Sequence, residues 1–89
     1  MSTEVLHPYV VSKEDIAGNK AIIAGTRTTV STLIAYYKLG YSPEDLAREF
    51  PHLTLSQIHD ALSYYYEHRE LIDREIDEES EDNLRALVR

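Results

Sequence analysis

The chain has 89 residues, of which 43% are apolar and none is cysteine, and its formal net charge is -7. A chain of this length builds a single hydrophobic core, and the absence of cysteine excludes disulfides and thiolate metal sites. The acidic balance argues against indiscriminate binding to nucleic acids, because phosphate contacts need Lys and Arg. The sequence lacks the pattern of a secretion signal and the run of roughly 18 apolar residues that a membrane span needs, so we expect a cytoplasmic protein without membrane contact.

Two short strands are predicted near the N-terminus. The β-branched and aromatic run at 9–11 and the apolar run at 21–24 both favour an extended backbone. Between them Ser12 is followed by a carboxylate at Asp15, and this spacing predicts one helical turn. The threonines on either side of Arg27 favour an extended segment that leads into the first long helix.

The next part of the chain has the pattern of two helices. Val30 and Leu33 begin an apolar stripe with helical spacing, and Gly40 ends this first helix. Ser42 is a good N-cap residue and Pro43 suits the first helical position, so a second helix is predicted to start there.

A third helix is predicted to begin near Leu55. Thr54 and Gln57 have the spacing of a capping box. The apolar stripe of this helix continues, more thinly, through Ile72 and Ile76. We therefore expect the third helix to extend well beyond the globular core.

These elements predict a mainly α protein. Its core would be three helices with helix-turn-helix spacing, with short N-terminal β-strands and a C-terminal helical extension. Within one domain we assign residues 1–29 to the β segment, residues 30–69 to the three-helix core and residues 70–89 to the extension. The extension is acidic, with three basic and eight acidic residues.

Four motifs occur in order along the chain: Gly-Thr-Arg at 25–27, Leu-Gly at 39–40, Pro-x-Leu-Thr at 51–54 and Ala-Leu-x-Tyr-Tyr at 61–65. In these motifs, over residues 16–76, the chain resembles the bacterial and archaeal family called domain of unknown function 433. The resemblance implies a homeodomain-like three-helix fold with an N-terminal β segment. It also implies an antitoxin role in a type II toxin-antitoxin pair, opposite a PIN-like ribonuclease.

The helix-turn-helix spacing suggests contacts with DNA, because the second helix of such a pair enters the major groove. On the exposed face of that helix, Ser56, Gln57 and His59 are candidates for base contacts, whereas Asp60 would repel phosphates. This face carries no Lys or Arg, so a scaffold with a solvated polar face is an equal alternative. The candidate phosphate contacts are Arg27, Lys38, Arg48 and Arg69.

Arg27 also has a structural interpretation, which we favour. It stands in the turn before the first long helix. There its planar guanidinium would hold backbone carbonyls or a carboxylate of the same chain.

The C-terminal part of the chain is predicted to bind a partner protein. Of the tyrosine run at 64–66, Tyr65 is expected in the core and Tyr64 or Tyr66 at an interface, because successive helical residues point about 100° apart. The apolar side chains of the tail would anchor in a groove, and its arginines would approach the acidic metal site of a PIN-like nuclease. A solvated helix is the alternative. The candidate partner contacts are Tyr66, Leu84, Arg85, Leu87, Val88 and Arg89.

No enzyme activity, cofactor or metal is predicted, because the sequence offers no catalytic set and its four histidines lack metal-ligand spacing. The first interpretation is an antitoxin-like module that neutralises a PIN-like nuclease toxin, with operator DNA as a further partner. We expect it to be a homodimer or higher homo-oligomer, joined through its strand edges. The alternatives are a stand-alone DNA-binding regulator and a purely structural oligomerisation domain.

Overall fold

A three-stranded antiparallel sheet forms the N-terminal part of the molecule. The computed structural model describes the backbone of residues 3–87 and the side chains of residues 3–79. The strands are β1 (Thr3–His7), β2 (Val10–Lys13) and β3 (Ala21–Ile23), in the spatial order β1-β2-β3. Val10 pairs with Ile23, and both side chains are buried in the main core. Their neighbours Val11 and Ile22 also pair and are buried, but on the opposite face, because successive strand residues alternate between faces.

The two predicted strands are confirmed as β2 and β3, and β1 is an addition that the sequence did not reveal. The predicted helical turn at 12–15 is wrong. Ser12 belongs to β2, where it pairs with Glu4 and Ala21, so its backbone is extended and cannot cap a helix. Its Oγ donates instead to the carbonyl of Asn19, 2.8 Å away, at the end of a short 3-10 helix (Ala17–Asn19).

The predicted helix starts are confirmed. The helices are α1 (Val30–Lys38), α2 (Pro43–Glu49), α3 (Leu55–Glu67) and α4 (Arg69–Leu87). Ser42 caps α2 by accepting from the backbone N–H of Asp45, and Thr54 caps α3 by accepting from that of Gln57. In both boxes the side chain at the third helical position accepts from the N-cap backbone in return, so two otherwise unpaired N–H groups are satisfied at each start.

The C-terminal helix turns back onto the body, so the expectation that α3 continues through Ile72 and Ile76 is wrong. The chain leaves helical geometry at His68, whose ring stacks on Tyr64 at 4.2 Å between centroids. Beyond this break α4 packs against α1. Ile72 is fully buried and Ile76 packs against the core. The first half of the supposed extension is therefore part of the core.

One hydrophobic cluster joins the sheet to all four helices. It consists of residues from β2 and β3, the inner faces of α1 and α3, one leucine of α2, one leucine of the turn between α2 and α3, and one isoleucine of α4. Its members are Val10, Ala21, Ile23, Val30, Leu33, Ile34, Leu46, Leu53, Ile58, Ala61, Leu62, Tyr64, Tyr65 and Ile72. Burial of these side chains is the main stabilising contribution.

Candidate functional site

Three of the four proposed phosphate-binding cations are engaged within the chain. Lys38 Nζ donates to Asp73 Oδ1 at 2.8 Å, and this hydrogen bond lowers the pKa of Asp73 and raises that of Lys38. Arg48 is paired with Asp45 in its own helix. The Arg69 guanidinium lies 5.8 Å from the centre of the Tyr66 ring, within cation-π range. A phosphate would have to compete with each of these contacts.

The exposed face of α3 offers little to DNA. Ser56 and His59 are exposed, as predicted. Gln57, however, uses its Oε1 to accept from the Thr54 backbone N–H at 2.8 Å, so the capping box occupies the group that would read a base. Along 55–67 the sequence places no Lys or Arg. Two exposed side chains are therefore what remains of the proposed base-reading set.

Asp60 is not a free surface carboxylate, contrary to the expectation that it would face phosphates. Its side chain is 13% exposed and it connects α3 to β1. Its Oδ1 lies 2.6 Å from Nδ1 of His7, and its Oδ2 accepts from the backbone N–H of Tyr9 at 2.7 Å. Nε2 of His7 also lies 3.3 Å from Oε1 of Glu67, the last residue of α3. This polar connection attaches β1 to α3, and no local sequence pattern could indicate it because the partners are more than 50 residues apart.

A surface rich in tyrosine and arginine lies where α3 meets α4. Tyr66 is 53% exposed and Leu71 is 41% exposed. The Tyr66 hydroxyl lies 3.1 Å from that of Tyr37 on α1, and this hydrogen bond raises the pKa of Tyr37. Arg69 covers the Tyr66 ring, and Arg74 lines the same open groove of about 470 Å³. We call Tyr37, Tyr66, Arg69, Leu71 and Arg74 the tyrosine-arginine face.

The other tyrosines of the run at 64–66 are buried. Tyr65 is in the core, as predicted, and its hydroxyl donates to Asp73 Oδ1 at 2.9 Å. Tyr64 is buried as well, and burial raises its pKa. Tyr66 is therefore the one member of this run that is available to a partner.

A second open groove, of about 720 Å³, surrounds Arg27, and we call it the Arg27 groove. The structural role that the sequence suggested for Arg27 is wrong, because the exposed guanidinium makes no hydrogen bond or ion pair with any described residue. Thr26 performs that role instead, since its Oγ1 donates to the Ile23 carbonyl at 2.9 Å and accepts from the Thr28 N–H at 3.0 Å. The groove is lined by Lys13, Ile16, Gly25, Thr26, Arg27, Thr28 and His52.

Comparison with known proteins shows the family to which the chain belongs. A family model described as "Protein of unknown function (DUF433)" matches residues 10–65 of the chain. The chain belongs to the DUF433 family. It is similar to a DUF433 member protein from Anabaena variabilis ATCC 29413, solved by crystallography at 2.00 Å, with 35% identity and a TM-score of 0.73 over 78% of this chain and 68% of that one. None of the curated proteins compared with the chain is similar to it.

The segment matched by the DUF433 model contains one of the two surfaces completely. Every residue that lines the Arg27 groove lies within 10–65, whereas Tyr66, Arg69, Leu71 and Arg74 lie beyond it. The Arg27 groove is thus built entirely from the family's own segment of chain.

The remaining predicted sites of this DUF433 protein have different outcomes. Leu84, Arg85, Leu87, Val88 and Arg89 lie outside the residues whose side chains are described, so their assignment to a partner stays a prediction. Over residues 3–79, no group of three or more His, Asp or Glu side chains is arranged for a metal ion. No helix in the described part of the chain is both long and apolar enough to cross a membrane.

A polar network between α4 and the start of α1 was also missed by the sequence analysis. Glu79 Oε2 accepts from Lys20 Nζ at 2.9 Å and from the buried Ser31 Oγ at 3.0 Å, and the first of these bonds raises the pKa of Lys20. Glu75, one turn earlier, has a buried Oε1 with no hydrogen-bond partner among the described residues. Burial raises the pKa of Glu75, although nearby Lys20 opposes the shift.

Replacing Glu75 by glutamine is expected to raise the free energy of unfolding at pH 7. A raised pKa means that the folded state holds the proton more tightly than the unfolded chain, whose pKa is about 4.3. The charged form therefore opposes folding above that pH, and the benefit of Glu75→Gln should vanish in acid. Urea unfolding of both proteins at pH 7 and at about pH 3.5 measures this. Glu78→Gln is the matched control, because Glu78 is exposed and its replacement should change the stability little. A lower free energy of unfolding in Glu75→Gln at pH 7 would contradict the expectation.

Proposed function

We propose that this DUF433 protein is a cytoplasmic antitoxin-like binding module that neutralises a PIN-like ribonuclease by direct contact and performs no catalysis itself. The observation that carries the proposal is the tyrosine-arginine face. Tyrosine and arginine are the side chains enriched where single residues dominate the energy of a protein interface. Here Tyr37 contacts the half-exposed Tyr66, and Arg69 and Arg74 line a groove with Tyr66 and the exposed apolar Leu71. The same groove also includes Glu67, His68 and Glu70.

The geometry of Tyr66 supports a role in tight binding. Its hydroxyl is held by Tyr37 and its ring is covered by Arg69, so the side chain has already lost part of its rotational freedom. A side chain that is ordered before binding loses less conformational entropy when a partner covers it. The tail residues, from Leu84 to Arg89, would add contacts at the other end of α4.

DNA binding is the second candidate, either as autoregulation by the antitoxin or as the sole function of a stand-alone regulator. The observation that favours it is that α2 and α3 follow one another and are joined by the short turn at 50–54, an order that a helix-turn-helix would require. Ser56 and His59 are exposed on α3. The engaged state of Lys38, Arg48 and Arg69 argues for weak binding by one chain, so a dimer joined at the free edge of β1 would be needed.

The deciding experiment combines the full chain with the PIN-like ribonuclease encoded beside it. We expect a stable complex in isothermal titration calorimetry and loss of RNA cleavage on addition of the chain. Tyr66→Ala is expected to weaken the complex by about 30-fold, because loss of a central interface tyrosine typically costs about 2 kcal/mol. A ribonuclease that neither binds the chain nor loses activity would end the antitoxin proposal.

Two controls separate the candidates. Leu39→Ala changes a residue that is 78% exposed but lies outside the tyrosine-arginine face, and it should leave the complex unchanged. Titration of labelled upstream DNA at several salt concentrations tests the regulator: tight binding by the chain alone with steep salt dependence would favour that function. Sedimentation velocity of the same samples measures whether the chain is a dimer.

A further inference from the structure

Arg27 is presented from a turn that is fixed by several hydrogen bonds. The backbone N–H of Thr26 donates to the Ile23 carbonyl at 3.0 Å, and the N–H of Ile23 donates to the Thr28 carbonyl at 2.9 Å. The Thr26 hydroxyl closes the turn from inside. Gly25 supplies the positive φ of 79° that the turn requires. The backbone that carries the guanidinium is therefore ordered without any contribution from the guanidinium itself.

The Arg27 groove is also fixed on its far side. Thr28 Oγ1 and His52 Nε2 are 2.8 Å apart, so the Arg27 turn is tied to the segment that precedes α3. His52 in turn lies edge-on to Phe50, with 6.3 Å between ring centroids. The Arg27 turn and His52 thus each have contacts within the chain before any ligand binds, and a site that is partly ordered beforehand loses less entropy on binding.

The charges in the Arg27 groove are uncompensated. Lys13 and Arg27 both line it, and no carboxylate does. Elsewhere in the described chain Lys20, Lys38 and Arg48 each pair with an acid, and Arg69 lies over the Tyr66 ring. Such a groove is also unexpected in a protein whose net charge is -7. A guanidinium with no partner among the described residues, beside a second cation, is suited to a bidentate carboxylate.

We propose that the Arg27 groove binds a carboxylate-bearing segment of a partner protein, with a Glu or Asp side chain on Arg27 and Lys13 and an apolar neighbour against Ile16. The inference rests on the proposed function, because it assigns a chemistry to part of the partner's surface. A nucleic acid is the less suitable occupant. Two cations neutralise only about two phosphates, and the other charges of an acidic chain would repel the backbone.

The test is a titration of the full, isotope-labelled chain followed by NMR. The probe is a capped pentapeptide of alternating glutamate and leucine. We expect shifts of the amides of Lys13, Ile16 and residues 25–28, with binding weakened about tenfold in Arg27→Gln and in Lys13→Gln. Arg48→Gln is the matched control, because Arg48 is also an exposed arginine but lines a different groove, outside the tyrosine-arginine face.

Four results would overturn the assignment. The first is that the peptide shifts no amide in the groove, and the second is that a peptide with glutamine in place of glutamate binds equally well. The third is that Arg27→Gln binds like the parent chain, and the fourth is that a mixed-sequence DNA duplex shifts these amides while the peptide does not. The test is independent of the ribonuclease experiment. A ribonuclease complex that survives Arg27→Gln, with no peptide binding, would remove the groove and leave the antitoxin proposal intact. Peptide binding without a ribonuclease complex would remove the antitoxin proposal and leave the groove as a carboxylate-binding site.

Discussion

Replacing Ile72 by alanine is expected to lower the free energy of unfolding by about 2–5 kcal/mol, the usual cost of truncating a buried isoleucine. Ile72 is fully buried and is the residue through which α4 enters the core cluster. Domains of this size have total stabilities of roughly 5–15 kcal/mol, so the variant would lose a large fraction of its stability. Urea unfolding monitored by circular dichroism measures the change.

The neighbouring Leu71→Ala is the control for Ile72→Ala. Leu71 is 41% exposed and is absent from the core cluster, so its truncation should cost much less. Equal and small effects of the two changes would mean that α4 does not pack as described. In that case residues from 69 onward would be an appendage, as the apolar pattern first indicated.

Leu46→Ala is expected to produce a loss of similar size, about 2–5 kcal/mol. Leu46 is the only fully buried side chain of α2 among the described residues, so this helix depends on it for its attachment to the core. Ala47 and Phe50 also pack against the core, but their side chains are only partly buried. Chemical denaturation is again the measurement, with a decrease expected in the midpoint and little change in its slope.

The control for Leu46→Ala is the same substitution at Leu39, which is 78% exposed and follows the last residue of α1. Leu39→Ala should alter stability by less than about 1 kcal/mol. If Leu46→Ala were as mild as Leu39→Ala, α2 would be held by its caps and loops and not by its apolar face.

Local patterns predicted the local structure well. The starts of α1, α2 and α3 follow from residues that lie within four positions of one another, such as Thr54 and Gln57, and the structure has both partners of that capping box in place. The strands β2 and β3 follow from short β-branched runs. In each case the determining interactions are made between close neighbours in the sequence, so a reader of the sequence sees both partners together.

The features of the fold and of the site that were not predicted depend on contacts between distant parts of the chain. An apolar residue at Ile72 has the same spacing whether the helix runs straight or breaks at His68 and returns, so periodicity alone could not choose. Asp60 looked like a solvated carboxylate because its partner, His7, is 53 residues away. For the same reason Lys38 looked available to phosphate, since Asp73 comes 35 residues later. The candidate cations were chosen by residue type, and only tertiary structure separates the engaged ones from Arg27.

The course of α4 sets a minimum size for any partner that uses both of its ends. The helix begins beside Tyr66 and spans 19 residues, which corresponds to about 28 Å at 1.5 Å per residue. Ile72 anchors its first turn in the core and the Glu79 bond to Ser31 holds its middle, so the two ends stay apart. A pentapeptide, which spans at most about 18 Å when extended, could therefore occupy one end only, whereas a folded domain could lie along the whole helix and contact both ends.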